Sequence, residues 1–166
     1  MNEARVDLGI HLARPDGIPG CIDIVRTLPD WFGIQSAIDD YARAIPSLPT
    51  LVAIRGGALI GFLTLKFHSD ESAEVYLLAV RQEYHRRGTG SALLERAEQM
   101  VRERGCQFLQ VKTLGPSHPS PEYAQTREFY RARGFVPLEE LHDLWPGNPC
   151  LIMVKHLGSP TGSRES

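Results

Sequence analysis

The chain has 166 residues, 42% apolar and 23% charged, with a formal charge of −2. That is the size and balance of one globular domain with a proper core, and the small charge gives no electrostatic case for nucleic acid as a partner. No apolar run reaches the roughly 18 residues that span a bilayer, and the opening MNEARVDLGI lacks a signal-peptide pattern.

Cys21, Cys106 and Cys150 form an odd set without CxxC spacing, and the six histidines show no HxxxH or HExxH arrangement. Neither a disulfide framework nor a metal site is expected. A reduced, cytoplasmic chain with no membrane partner fits best.

In chain order, residues 1–20 are polar with several prolines and glycines, which suggests an edge strand or a loose lead-in. Residues 21–26 alternate apolar and polar and read as the first strand. LPDWFG breaks that run. Residues 34–45 then read as a short helix with Ile34, Ile38, Tyr41 and Ile45 on one side, ended by Pro46 and Pro49. Residues 50–55 and 58–67 flank Gly56-Gly57, the pattern of a β-hairpin. Residues 72–80 form a further strand.

From Ser91, the residues Leu93, Leu94, Ala97, Met100 and Val101 recur at helical spacing, with Glu95, Arg96, Glu98 and Arg102 toward solvent. Gly105 stands where a helix C-cap belongs. Residues 107–113 read as a strand and residues 121–133 as a second amphipathic helix closed by Gly134. On that helix Tyr123, Thr126, Arg127 and Tyr130 stack as a polar face while Phe129 and Ala132 turn inward. Residues 135–139 and 150–156 complete the strands. The chain is thus one α/β (α+β) domain over residues 1–157, with a disordered tail at 158–166.

The most informative stretch is VRQEYHRRGTGSALLERAEQMVRERG, residues 80–105. A strand-like run ends in a basic turn with Gly88 and Gly90, and an amphipathic helix follows at once. Glycines let the turn adopt unusual backbone angles and approach a ligand closely. A helix start offers unpaired N–H groups and the positive end of the macrodipole, so with Arg86 and Arg87 this is a site for phosphate or pyrophosphate. The plainer alternative is a connection that happens to hold two glycines. Two nucleotide fingerprints fail: Leu93 stands where the dinucleotide motif wants its third Gly or Ala, and no Gly-Lys-Ser/Thr triplet exists.

HRRGTG in this setting resembles the acyl-CoA pyrophosphate loop of the GNAT superfamily of N-acetyltransferases, whose pattern is Gln/Arg-x-x-Gly-x-Gly/Ala. Gly88 and Gly90 match, and His85 sits where the family usually has Gln or Arg. REFYRARGF supplies a second landmark through Phe129, Tyr130, Gly134 and Phe135, and the two motifs stand in the right order about 40 residues apart. The resemblance covers roughly residues 51–157. LGPSHP and NPCLIMVK are similar to a bacterial branch of the superfamily that names no substrate.

The resemblance implies one mixed, mostly antiparallel sheet with helices on both faces and a splayed central strand pair ending near Val80 and Thr113. It implies acetyl-CoA as cosubstrate, with no metal. Main-chain contacts are expected from Leu78, Ala79 and Val80, and pyrophosphate contacts from Arg86, Arg87, Gly88, Thr89, Gly90 and Ser91. Tyr130 stands at the position of the general acid, and Glu74 in a region where members often place a glutamate base; a solvated strand glutamate is the competing reading. Tyr123 occupies a position where the family often has Asn, so one cofactor contact that the resemblance implies is either missing or made differently.

His118 lies in a proline-stiffened loop suited to an acceptor contact, although a lone exposed histidine is more often incidental. Trp31 and Phe32 line an acceptor pocket or pack in the core. His68 and His142 have no supporting context. The expected activity is acetyl transfer to a primary amine, small molecule or peptide, by direct attack in a ternary complex; the alternative is a non-catalytic acyl-CoA-binding module or sensor. A homodimer is compatible with either.

Overall fold

A computed structural model describes residues 7–158; residues 1–6 and 159–166, which hold the start of the lead-in and nearly all of the expected tail, lie outside the described residues. Among the described residues, seven strands form one mixed, mostly antiparallel sheet, accompanied by four α-helices. The strands are β1 (Leu8–Leu12), β2 (Thr50–Arg55), β3 (Ala58–Phe67), β4 (Ser72–Val80), β5 (Phe108–Leu114), β6 (Val136–Trp145) and β7 (Asn148–His156), and the spatial order is β1-β2-β3-β4-β5-β7-β6. The helices are α1 (Ile18–Arg26), α2 (Gln35–Ala44), α3 (Thr89–Glu103) and α4 (Pro121–Ala132).

The described residues fall into two compact units: those up to Leu65 together with Leu77–Ala97, and Lys66–Tyr76 together with those from Glu98 onward. In the first unit β1 and β2 pair antiparallel, and β2 turns into β3 through Gly56 and Gly57 at φ 58° and 78°. Two consecutive positive φ values make the primed turn that suits a hairpin's twist, and glycine adopts them without steric cost. Thr50 and Thr64, both buried, share a hydroxyl hydrogen bond of 2.9 Å across that hairpin. Phe62, Leu63, Ile24, Ile45 and Leu93 are among this unit's fully buried side chains.

The expected first strand at residues 21–26 is instead the last six of α1's nine residues. Cys21, Ile22, Ile24 and Val25 are all buried, a stripe at helical spacing, and Pro19 sits in the first turn where its missing N–H costs nothing. A six-residue window showed the alternation but hid the longer period, which begins at Ile18.

In the second unit β4 runs parallel to β5 over Ser72–Val75 opposite Phe108–Val111, and β5, β7 and β6 continue antiparallel. Leu109, Phe135 and Met153 are fully buried there. Strands β6 and β7 form a hairpin longer than the sequence suggested, turning at Gly147 with φ 72°. Glu98, expected toward solvent, is buried and accepts a 2.7 Å hydrogen bond from Lys155 Nζ on β7. Helical periodicity places a residue on a face but says nothing of a lysine arriving from a distant strand.

Candidate active site

In the first unit, β4 delivers Leu78, Ala79 and Val80 to the turn at 81–88. Ala79 and Val80 are buried and Leu78 half-buried. Strand β3 passes so close that a β-carbon on Gly61 would stand 3.1 Å from the Ala79 carbonyl oxygen and 3.4 Å from Val80 Cα. The Arg81 N–H donates to the Ile60 carbonyl at 2.8 Å, and Arg81 Nε to the Leu59 carbonyl at 2.9 Å, which pins the end of β4. A single 3-10 turn over Gln82–Tyr84 comes next.

Arg86 then takes φ 61° and Gly88 φ 83°. The first bond of α3 runs from the Ala92 N–H to the Gly88 carbonyl at 3.0 Å, so the amides of Thr89 and Gly90 precede the helix's own ladder. Thr89 is 1% exposed and its hydroxyl is buried with no hydrogen-bond partner. A buried hydroxyl without a partner costs free energy until something bonds it. An anion at this helix start would do so. Arg86 and Arg87 are exposed, Arg87 lying over the Tyr84 ring at 5.7 Å, and Ser91 is half-buried in the first helical turn. Left-handed backbone, a helix N-terminus, an orphaned hydroxyl and two arginines fit a pyrophosphate.

In the second unit, Glu74 is 4% exposed on β4, opposite Gln110 of β5. Its Oε1 accepts from Lys112 Nζ at 3.1 Å and lies 3.0 Å from His68 Nε2. The solvated-strand reading of Glu74 is therefore set aside by its burial, and His68, which showed no supporting context in the sequence, is this carboxylate's partner. Lys112 was legible only through register. Gln110 and Lys112 share one face of β5, and Gln110 faces Glu74, so Lys112 is its diagonal neighbour.

Tyr130, 3% exposed, packs edge-on between Phe129 and Phe135 with both ring centroids at 5.2 Å. Its own carbonyl accepts from the N–H groups of Arg133 and Phe135, each at 3.1 Å, so the closing turn of α4 fixes its backbone. Burial pushes the phenol well above its ordinary range, which keeps it protonated. The polar face predicted for α4 is its inner face. Tyr123, Thr126 and Arg127 are half-buried and Tyr130 is buried, whereas Ala132 is exposed and Phe129 only half-buried. Arg127 Nη1 reaches the Leu114 carbonyl at 2.7 Å, tying the helix to the end of β5.

The loop before α4 carries His118, which is exposed. Glu140 on β6 holds this loop by accepting from the Ser117 N–H at 3.1 Å, lying against the bare α-carbon of Gly115. Ser120 caps α4, its hydroxyl accepting from the Tyr123 N–H at 3.2 Å. Trp31 packs against His85 of the first unit, and Phe32 against Tyr41.

Burial pushes the Cys21 and Cys150 thiols up to about 11, and the Cys106 thiol upward as well. None is a ready thiolate. Among the described residues no group of three or more His, Cys, Asp or Glu side chains could hold a metal ion, and no helix is long and apolar enough to cross a membrane.

Comparison with known proteins gives the same direction. A mycothiol acetyltransferase of Beutenbergia cavernae is 35% identical over 94 residues, 56% of this chain but only 30% of that protein. Among solved structures, the ribosomal-protein-S18-alanine N-acetyltransferase of Escherichia coli superposes with a TM-score of 0.76 at 18% identity, covering 96% of this chain and 99% of that one. The PaiA N-acetyltransferase of Thermoplasma acidophilum, solved in complex with coenzyme A, gives 0.70 at 19% identity over 90% and 99%. At such identities the structures speak for the fold alone. A sequence model described as the acetyltransferase (GNAT) family matches residues 23–135, most of the chain and both glycines of the turn. The chain belongs to the GNAT acetyltransferase family.

Proposed function

We propose that the protein transfers an acetyl group from acetyl-CoA to a primary amine by direct attack, with no acyl-enzyme. The observation that supports this most is the turn ahead of α3, where left-handed Arg86 and Gly88 open a helix N-terminus beside the partnerless Thr89 hydroxyl. Its amides and arginines hold the pyrophosphate of acetyl-CoA, and the backbone of Leu78, Ala79 and Val80 guides the arm that carries the thioester. We also take residues 1–157 as one catalytic domain, since the family match runs through both compact units. The compartment we infer is the cytoplasm, in keeping with three free, buried cysteines.

The amine nitrogen attacks the thioester carbonyl carbon. Glu74 takes the proton the amine sheds, the carbon–sulfur bond breaks, and Tyr130 gives its proton to the departing thiolate. Tyr130 suits that duty because burial keeps its proton in place at neutral pH. The raised thiols argue for direct transfer, since a covalent relay needs an activated nucleophile. Holding both reactants in line supplies much of the acceleration, up to roughly 7–11 kcal/mol in well-oriented systems.

The test is an acceptor screen that follows free CoA release from acetyl-CoA. The acceptors of mycothiol acetyltransferases and of ribosomal-protein alanine N-acetyltransferases head the library. Tight acetyl-CoA binding without turnover on any amine would replace the enzyme by an acyl-CoA sensor.

A further inference from the structure

The residue that departs from the family's loop pattern has a definite contact. His85 Nε2 lies 2.6 Å from the Val80 carbonyl oxygen, the last of β4. A carbonyl can only accept, so Nε2 carries the hydrogen, as it does in both the imidazolium and one neutral tautomer. Trp31 meets the same ring edge-on, with centroids 5.3 Å apart and planes at 84°. The imidazole is thus held on one side by the connection between α1 and α2 and bonded on the other to the strand end.

The neighbouring backbone needs such a hold. Arg86 carries a β-carbon yet sits at φ 61°, a conformation that costs energy and persists only where the surroundings fix it. Its two sides are anchored. The His85 N–H bonds the Gln82 carbonyl at 3.1 Å while its ring bonds Val80, and the Gly88 carbonyl is taken by the first bond of α3. We propose that His85 is a positioning residue: it clips the turn to the end of β4, keeps Arg86 left-handed, and so holds the amides of residues 88–90 in the shape that binds pyrophosphate. The position therefore calls for a side-chain donor of this reach, which explains how histidine can stand where the family usually has glutamine or arginine.

This rests on the reading of the turn as the pyrophosphate site, and the experiment separates the two. Acetyl-CoA affinity is measured by calorimetry for His85→Ala, His85→Gln and Gly90→Val, with thermal melts alongside. Loss of one organising hydrogen bond should weaken binding about three- to tenfold in His85→Ala, while His85→Gln, which keeps a donor, stays within about twofold. Should the alanine variant not fold, His85→Leu keeps bulk against Trp31 without a donor and replaces it. Gly90→Val impaired with His85→Ala unaffected overturns the clip and leaves the pyrophosphate reading standing. If both bind normally, the pyrophosphate reading itself fails. Equal impairment of His85→Ala and His85→Gln also overturns the clip, because the donor would then not be what matters.

Discussion

Lys112 Nζ stands 3.1 Å from Glu74 Oε1, with the glutamate side chain 5% exposed and the lysine side chain 30% exposed. The pair joins neighbouring parallel strands, and the same oxygen meets His68. Removing one member of a buried pair leaves the other charge uncompensated. Lys112→Met should therefore destabilise the fold by roughly 1–3 kcal/mol, less than a fully buried pair because water reaches the lysine. Urea denaturation checks it. A loss under about 0.5 kcal/mol would place this pair with ordinary surface salt bridges.

The carboxylate's chemistry is tested separately. Glu74→Gln keeps the size and an acceptor but cannot take the amine's proton, so turnover should fall roughly 10²-fold or more with acetyl-CoA affinity little changed. Steady-state kinetics within about threefold of wild type would show the proton leaving by another route.

Tyr130→Phe should preserve packing between Phe129 and Phe135 while lowering kcat by roughly 10²-fold, the low end for an acid because a thiolate leaves fairly well. The pH dependence carries a further sign. Burial raises the phenol above its usual value, so the proton-bearing form persists to higher pH than for a free tyrosine. No alkaline fall in kcat owed to Tyr130 is expected below about pH 10. An alkaline limb near pH 8 that vanishes in the Phe variant would contradict this.

Much of this fold was legible because its signals are local. The Gly56-Gly57 turn, the apolar stripe of α3 and the glycines at 105 and 134, which take φ 82° and 93°, each specify structure within a few residues. The candidate site was legible where it too is local, in the turn from His85 to Gly90. What sequence hid depends on register and on the far side of the sheet. His68 reaches Glu74 across the β3–β4 turn, Lys112 arrives diagonally from β5, and Lys155 reaches Glu98 from β7. Alternation misled at α1, where a short amphipathic helix and a short strand share the same few apolar positions.

Gly88 stands at φ 83° with open space where a β-carbon would go. Gly88→Ala therefore meets strain and no clash, a cost of roughly 1–2 kcal/mol. If the turn relaxes to escape that strain, acetyl-CoA binding weakens. Neutralising the exposed Arg86 or Arg87 should do less, and its effect should shrink as salt rises. Calorimetry at two ionic strengths distinguishes these behaviours.

Glu140 should make the fold sensitive to acid. The Ser117 side-chain hydrogen bond, then its backbone N–H and the charges of His142 and Arg127, hold the carboxyl below its ordinary value. A depressed carboxyl contributes stability that is fully present above its unfolded pKa, about 4.3, and is lost as pH falls through the lower folded value. Melting temperatures of wild type and Glu140→Gln should thus differ at pH 7 and converge as pH drops below about 4. A constant gap would mean that Ser117 contributes nothing through this charge.

Strand connectivity also sets the order in which the molecule assembles. Strands β2 and β3, and likewise β6 and β7, are neighbours joined by tight glycine turns, contacts that close within microseconds. The parallel pairing of Ser72–Val75 with Phe108–Val111 has to wait for the chain to pass through α3 and come back, at the entropic cost of closing a long loop. Glu74 itself stands on β4, joined to β3 by the short turn at 68–71, whereas Lys112 reaches it only once that late pairing forms. Amide hydrogens of the two hairpins should gain protection first during refolding, with those of Phe108–Val111 later, so the proposed base meets its lysine only after the hairpins exist.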